Sequence, residues 1–318
     1  MKQTFNSVRP ACDLASILSD EASLSVVDGR MEAFNKELII SVPCEGPDFC
    51  VPVVDFEFAM RKHEDPTIKI TEKNVILDGT TRVRRLTERK SFKKPNIDTK
   101  PVADVLDLLA TINDVFPFTE GDQARPWSFG ARFDNKTVTA TNSIMFCQAE
   151  LDADAGFAGF TVSRTGLAYM RLRGAALKAW GIGDRGLLLE FDDGGWALVS
   201  KMAMEMPDAA VGLVNTINNW RDMQQVDEAY RNAFTSAGEW ADDVLTVFPD
   251  RVYAGRLSTE HDEEVETNLG DREKAMFATK NLVTVMSVAK EIAFDRYPQP
   301  VPFVTERGSK GLIAGRSS

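Results

Sequence analysis

The chain has 318 residues, of which 43% are hydrophobic and 27% are charged, and its formal net charge at pH 7 is -11. This length exceeds that of one typical domain, and the composition is that of a globular protein. No apolar run has the length that a membrane-spanning helix needs, and the acidic balance disfavours binding of nucleic acid over the whole surface.

The cysteines and the first residues indicate a compartment. Cys12, Cys44, Cys50 and Cys147 show no CxxC spacing, so we expect reduced thiols in a cytoplasmic protein. The N-terminal stretch carries acidic residues and lacks the apolar core of a signal peptide.

The first predicted unit, residues 1–95, opens with a helix whose apolar residues recur between Ala11 and Leu18. Two strands follow, joined by a tight turn at Asp28-Gly29. The segment from Phe49 begins extended and becomes an amphipathic helix. A hairpin then leads into a basic run, residues 81–94, which we interpret as an outer strand and linker, with DNA contact as the alternative.

The second predicted unit, residues 96–207, repeats this order. Its first helix has apolar residues from Val102 to Leu109, and its first strands meet at Asp134-Asn135. The segment from Phe160 becomes a helix that is predicted to continue through Lys178, and a hairpin turns at Asp193-Gly194.

That helix is the most basic segment of the chain. It contains Arg164, Arg171, Arg173 and Lys178 and no acidic residue. Residues seven apart lie on one side of an α-helix, so positions 164, 171 and 178 would form a line roughly 21 Å long. A cation is unfavourable at the positive N-terminus of a helix, so helix stability does not explain Arg164. The line is therefore either a solvated face or a surface for a polyanion.

The third predicted unit, residues 208–318, has a helix with apolar residues from Val226 to Ala233 and strands joined at Pro249-Asp250. The segment from Phe277 becomes a helix, and a hairpin turns at Arg307-Gly308. In all three units the strand after the first turn contains a hydrophobe, any residue and then alanine: Ala33, Ala140 and Ala254. Several matches in the same order predict an α+β protein of three tandem units.

The repeat resembles the DNA sliding clamp of bacteria and phages, the β subunit of the replicative DNA polymerase. The resemblance covers nearly the whole chain and is most specific in residues 52–79, 125–146 and 200–208. It implies three clamp-type domains, 1–95, 96–207 and 208–318, with helices lining a ring and antiparallel sheets outside. The short length suggests a phage-encoded version.

The resemblance also implies a function. The chain would form a head-to-tail homodimer, a ring that encircles duplex DNA without sequence preference and tethers the polymerase. Helices that line the ring would meet the DNA. The implied DNA-facing residues are the cations of the second helix in each unit: Arg61, Lys62, Arg164, Arg171, Arg173, Lys178, Lys280 and Lys290.

A second implied site is a hydrophobic pocket between the second and third units, which takes short peptides of the polymerase and the clamp loader. The matching residues are Trp127, Thr141, Ser143, Phe146, Pro207, Leu312 and Ile313. Ser143 stands where the family has glycine, and the tail GRSS replaces a strand with methionine and proline. Core packing is the alternative for Phe146, Leu312 and Ile313.

Two other functions are alternatives to the clamp. One is a clamp-like peptide-binding module or decoy that does not encircle DNA. Another is an enzyme that uses GIGDRG, residues 181–186, but this motif is predicted to follow a helix and precede a strand, the reverse of a dinucleotide site. His63 and His261 show no ligand spacing. We therefore expect no catalytic site, metal or cofactor.

Overall fold

The computed structural model describes residues 14, 17–18, 22–63, 66–87, 91–121, 124–156, 158–202, 204–217, 220–256 and 259–316. Within them the fold is α+β, with antiparallel sheets and few helices, which confirms the predicted class. Most of the helix predicted between Ala11 and Leu18 lies outside the described residues.

The described helices and strands are numbered in chain order. The α-helices are α1 Val53–Met60, α2 Val105–Val115, α3 Arg164–Arg173, α4 Asp208–Val211, α5 Glu228–Trp240 and α6 Thr279–Val288. The strands are β1 Ser23–Val27, β2 Arg30–Phe34, β3 Leu38–Pro43, β4 Phe49–Pro52, β5 Ile68–Ile70, β6 Asn74–Leu77, β7 Thr81–Arg84, β8 Lys100–Pro101, β9 Gly130–Asp134, β10 Thr137–Thr141, β11 Met145–Glu150, β12 Ala158–Ser163, β13 Leu177–Gly183, β14 Gly186–Phe191, β15 Trp196–Ser200, β16 Gln224–Gln225, β17 Val244–Val247, β18 Arg251–Arg256, β19 Thr259–Glu264, β20 Ala275–Ala278, β21 Ala289–Ile292, β22 Val301–Thr305 and β23 Lys310–Ile313.

The chain forms two compact units, each made of two separate stretches of sequence. The first comprises residues 1–109 and 153–203, and the second comprises residues 110–152 and 204–318. The predicted boundaries near Pro95 and Pro207 fall in segments without helix or strand. The division into three domains stays a prediction.

In the first unit, the main sheet has the strand order β4-β1-β2-β3-β15-β14-β13-β8. Strand β3 pairs with β15, from Trp196 opposite Ser41 to Val199 opposite Leu38. This pairing joins stretches that the sequence analysis assigned to different domains. A smaller sheet, β5-β6-β7, follows α1 along the chain.

In the second unit, strands are ordered β9-β10-β11-β23-β22-β21-β16, and a separate sheet has the order β19-β18-β17-β20. Strand β11 pairs with β23, which places Met145 opposite Ile313 and Phe146 opposite Leu312. Residues 145–150 therefore complete their sheet with a strand that lies far along the chain.

The repeated motif forms a pair of antiparallel strands in each copy, β1–β2, β9–β10 and β17–β18. The Asp28-Gly29 turn has positive φ values of 50° and 74°, as a tight hairpin turn between twisted strands requires. Ala33, Ala140 and Ala254 are all fully buried. Each predicted strand-to-helix segment is observed, at β4–α1, β12–α3 and β20–α6. The predicted internal repeat is thus confirmed at the level of these segments.

The prediction that the basic helix continues through Lys178 is wrong. Helix α3 ends at Arg173, and Gly174 has a φ of 53°. Left-handed backbone at a glycine commonly terminates a helix. Lys178 therefore lies on β13, and the line of three cations along one helix does not exist. Lys290 is likewise on strand β21, since α6 ends at Val288.

A shorter prediction is corrected as well. GIGDRG does not follow a helix: it comprises the end of β13, a hairpin turn and the start of β14. The acidic run from Glu260 forms most of β19, which pairs along its length with β18. Backbone pairing here overrides the low strand propensity of acidic residues.

Among the described residues, no helix is long and apolar enough to cross a membrane. The same residues contain no cluster of three or more histidine, cysteine, aspartate or glutamate side chains that could hold a metal ion.

Candidate nucleic-acid interface and peptide pocket

Helix α3 has one buried face and one charged face. It begins after Ser163, whose hydroxyl accepts a hydrogen bond from the N–H of Gly166. Such a cap satisfies one of the unpaired N–H groups of the first turn. Gly166, Leu167 and Met170 are buried. Arg171 is exposed and Arg164 half-buried, and their spacing of seven places them on one side of the helix.

Arg164 and Arg171 form a small positive cluster. Burial lowers the pKa of Arg171, and the neighbouring charge of Arg164 lowers it further. An arginine with this pKa remains protonated at neutral pH. Arg164 and Arg171 thus place two positive charges on one side of α3.

Arg173 has a different environment. Its guanidinium pairs with Asp193 and lies 4.8 Å from the ring centre of Phe191. Burial tends to raise the pKa of Asp193, but hydrogen bonds from Arg173 and from the N–H of Gly195 outweigh it and lower the pKa overall. Arg173 therefore anchors α3 to the turn between β14 and β15.

The other predicted DNA-facing cations fall into two groups. Lys62, Lys178 and Lys290 are exposed. Arg61 forms an ion pair with Glu57, and Lys280 forms one with Glu120. Together with Arg173, three of the eight predicted cations are therefore paired with carboxylates.

The predicted peptide pocket is built around the turn between β10 and β11. Thr141 donates its hydroxyl to the carbonyl of Met145 at 2.6 Å and accepts the N–H of Ser143 at 3.0 Å. The side chain of Asn142 accepts the N–H groups of Ile144 and Met145. Ser143 has a φ of 78°, so it occupies the left-handed region that favours glycine.

Three predicted pocket residues lie in the sheet interior. The pairing of β11 with β23 brings Phe146, Leu312 and Ile313 together, and they are 2%, 5% and 0% exposed. This is the burial of core residues. Ile144, which the sequence analysis did not select, is 46% exposed in the same turn. It is the apolar side chain that this turn offers to a partner.

Pro207 and Trp127 lie on two separate elements that adjoin β9. Pro207 is exposed and precedes α4. Arg132 of β9 donates to the carbonyl of Met206 at 2.8 Å and to Asp208 at 2.6 Å, which ties this segment to the sheet. Trp127 is half-buried in a single 3-10 turn, Pro126–Ser128, just before β9.

A cavity of about 420 Å³ lies beside Ser143. Its lining residues are Glu120, Gly121, Arg125, Asn142, Ser143, Ile144, Lys280 and Asn281. The sequence analysis did not select Glu120, Arg125 or Asn281. Glu120 and Asn281 lie outside the segments that resemble the clamp family, whereas Arg125 and Asn142 lie within residues 125–146 and could have been selected. Lys280 was selected, but as a residue that faces DNA.

Comparison with known proteins gives no match to a family model or to a curated sequence. Solved structures do match. The DNA polymerase III β subunit of Thermotoga maritima superimposes with a TM-score of 0.74 at 13% identity, covering 100% of this chain and 99% of that one. The Caulobacter crescentus polymerase III β structure gives 0.72 at 16%, covering 100% of both chains.

A third structure, the DNA polymerase III β subunit of Pseudomonas aeruginosa, gives a TM-score of 0.72 at 13% identity and covers 99% of both chains. At these identities the likeness concerns the fold. It extends over the full length and agrees with the resemblance seen in the motifs. The chain therefore has the fold of the bacterial DNA polymerase III β subunit, the sliding clamp.

Proposed function

We propose that this chain is a DNA sliding clamp, a ring that encircles duplex DNA and tethers the replicative polymerase. The observation that carries the proposal is the full-length correspondence of its fold with polymerase III β subunits. The mechanism is topological and needs no bond-making chemistry. A ring that cannot leave the DNA raises the effective concentration of a weakly bound polymerase.

Arg164 and Arg171 are the main residues of the proposed DNA-facing surface. These residues are about 10 Å apart along α3. Duplex DNA carries about one negative charge per 1.7 Å of its axis, so two such cations touch few phosphates. Sparse phosphate contacts carry no sequence preference and permit sliding. Exposed Lys62, Lys178 and Lys290 remain further candidates for contact with DNA, whereas Arg61, Arg173 and Lys280 already pair with carboxylates.

Two edge strands support the closure of a ring by a second copy of the chain. Strand β7 ends the sheet β5-β6-β7 and exposes Arg82 and Arg84. Strand β19 ends the sheet β19-β18-β17-β20 and exposes Glu260 and Glu264. Edge strands carry unpaired backbone groups that can pair with another chain.

The charges of these two edges are complementary. We infer that β7 of one copy pairs with β19 of another, so that two copies close a head-to-tail ring. The acidic edge would also repel a second acidic edge, which disfavours head-to-head contact. Partner peptides from the polymerase and the clamp loader would bind at the turn that carries Ser143 and Ile144.

Encirclement is tested by retention on circular DNA. The proposed dimer is dissociated in high salt and then diluted with a nicked circular plasmid, so that the ring closes around the DNA. Gel filtration separates DNA-bound protein from free protein. We expect the protein to stay with the circle and to be released when a restriction enzyme linearises it. Retention on the linear form would show ordinary binding. Peptide binding without retention would favour the clamp-like module that does not encircle DNA.

A further inference from the structure

We propose that the cavity beside Ser143 binds a carboxylate of the partner peptide. The inference rests on the proposed function, because it concerns the same partner site, and it names the chemical group that this site selects. It is drawn from residues that converge on the cavity from separate stretches of the second unit: Glu120, Gly121 and Arg125, the turn 142–144 and the start of α6.

The cavity has a suitable size and shape. Its volume of about 420 Å³ lies within the range of small-ligand sites and accommodates a side chain or a chain terminus. The exposed side chain of Ile144 borders it. An apolar neighbour beside a polar cavity suits a peptide, which presents both kinds of group, better than a sugar-phosphate backbone.

Hydrogen-bond donors dominate the lining. Asn281 is only 7% exposed, and its carbonyl oxygen accepts the amide of Asn142 at 3.4 Å. Its own NH2 group has no partner among the described residues. The hydroxyl of Ser143 is buried and likewise has no partner in the described chain. A buried hydroxyl without a hydrogen bond is costly, so a ligand group that accepts from Ser143 gains affinity, and the NH2 group of Asn281 is a further donor.

The charges of the lining favour an anion. Arg125 is exposed and forms no ion pair within the described residues, whereas Lys280 is paired with Glu120. Two cations and one carboxylate leave one net positive charge at the cavity. An arginine guanidinium binds a planar carboxylate through two parallel hydrogen bonds. An apolar or cationic side chain would leave the donors unsatisfied and would be rejected.

The carboxylate can come from an aspartate or glutamate side chain or from a peptide C-terminus. To distinguish these sources, peptides that bind the full chain are selected from two random octapeptide libraries. In one library the C-terminus is free, and in the other it is blocked by a following carrier protein. Enrichment of acidic residues in the blocked library assigns a side chain, and enrichment restricted to the free library assigns the terminus.

The selected peptide is then measured by fluorescence polarisation, together with its copy in which the acid is replaced by the amide. The variants are Arg125→Gln and, as a matched loss of one exposed positive charge, Lys274→Gln. We expect Arg125→Gln to weaken binding of the acidic peptide about tenfold and of the amide copy less than about twofold. Lys274→Gln should leave both affinities unchanged, and thermal melts verify that both variants are folded.

Each other outcome is decisive. If acid and amide peptides bind equally, or if Arg125→Gln weakens both alike, the carboxylate proposal is wrong while the peptide site stands. If neither library yields a binder, the partner site of the proposed function fails, and this inference fails with it. If a duplex oligonucleotide displaces the acidic peptide, the cavity belongs to the DNA surface and the proposal is overturned.

Discussion

Ser143 combines two unfavourable features in one residue. Its φ of 78° lies in the left-handed region, and its buried hydroxyl has no partner in the described chain. The other described non-glycine residues with positive φ are aspartate or asparagine, which tolerate this region better. Local strain of this kind persists where the surrounding structure holds it, and it is concentrated at functional sites.

We therefore expect Ser143→Gly to raise the free energy of unfolding by about 1 kcal/mol, since glycine relieves the strain and removes the buried hydroxyl. Urea unfolding followed by circular dichroism measures the change. Asn135→Gly is the matched control, because Asn135 has a φ of 51° but belongs to a residue type that accepts it. A Ser143→Gly protein no more stable than the wild type would show that the turn is unstrained.

The pair of Arg173 and Asp193 predicts a pH dependence. The pKa of Asp193 is lowered in the folded chain, so its ionised form adds stability above the ordinary carboxylate pKa of about 4. That contribution is lost as the pH falls through the lowered value. The stability difference between wild type and Asp193→Asn should thus be constant at neutral pH and shrink in acid. A difference that grows in acid would contradict this assignment.

At the scale of single elements, α3 depends on a close approach at Gly166. A Cβ atom at this position would lie 2.6 Å from Cγ1 of Val199 on β15 and 3.0 Å from Cγ1 of Val162. An alanine normally stabilises a helix by up to about 1 kcal/mol relative to glycine. Here the overlap with two stiff β-branched side chains outweighs that gain.

Gly166→Ala should lower the free energy of unfolding by about 1–3 kcal/mol, the usual cost of overpacking a core. Val199→Ala in the same chain should recover part of the loss, because it removes the overlapping methyl groups. Gly212→Ala serves as the control, since no atom lies within 4 Å of its added Cβ. Equal stability of Gly166→Ala and wild type would mean that α3 shifts freely against the sheet.

The sequence predicted those elements whose signals are local. The strand pairs around Asp28-Gly29 and Asp193-Gly194 were recognised because turn residues and alternating hydrophobicity coincide there. The end of α3 was not recognised, because Gly174-Ala-Ala-Leu-Lys178 is rich in helix-forming residues. The pairing of β13 with β14 sets the conformation from Leu177 onward. This pairing is a tertiary contact, so the local sequence does not reveal it.

The candidate site shows the same limit. Ser143 could be selected because it stands in a motif that resembles the clamp family. Asn281 could not, because it lies outside those motifs and only the folded second unit brings it to the cavity. Arg173 was grouped with the DNA-facing cations, although its partner Asp193 lies in a hairpin that no sequence pattern linked to it.

At the scale of the whole molecule, the proposed ring predicts a specific role for the cations of α3. Replacing Arg164 and Arg171 by glutamate should lower retention on nicked circular DNA by at least about tenfold, because the duplex would meet negative charge inside the ring. Arg173 is left in place, since its loss would disturb the fold.

The control for that experiment changes the net charge equally at exposed positions elsewhere, with Lys69 and Arg185 replaced by glutamate. Retention is measured by gel filtration with labelled plasmid at several salt concentrations. Equal losses in both proteins would indicate a general effect of charge, and unchanged retention in the Arg164 and Arg171 variant would remove α3 from the proposed DNA surface.

The proposed assembly makes a complementary prediction. One variant carries Arg82→Glu and Arg84→Glu, and a second carries Glu260→Arg and Glu264→Arg. Each should dissociate into monomers, with the dimer weakened at least about tenfold by like charges at both contacts. A mixture of the two should restore the dimer, since every contact then joins opposite charges. Sedimentation measures the mass, and a mixture that stays monomeric would refute the pairing of β7 with β19.

The distance along the chain between β11 and β23 has a consequence for synthesis on the ribosome. Until β23 has emerged, β11 is a bare edge with Phe146 and Cys147 uncovered. An exposed apolar strand edge of this kind promotes aggregation, so we expect chaperones to bind the nascent chain. In the finished sheet, burial raises the pKa of the Cys147 thiol well above its usual range, with a further contribution from Asp114, so the thiol is inert. Loss of reactivity of the Cys147 thiol would therefore report the pairing of β11 with β23.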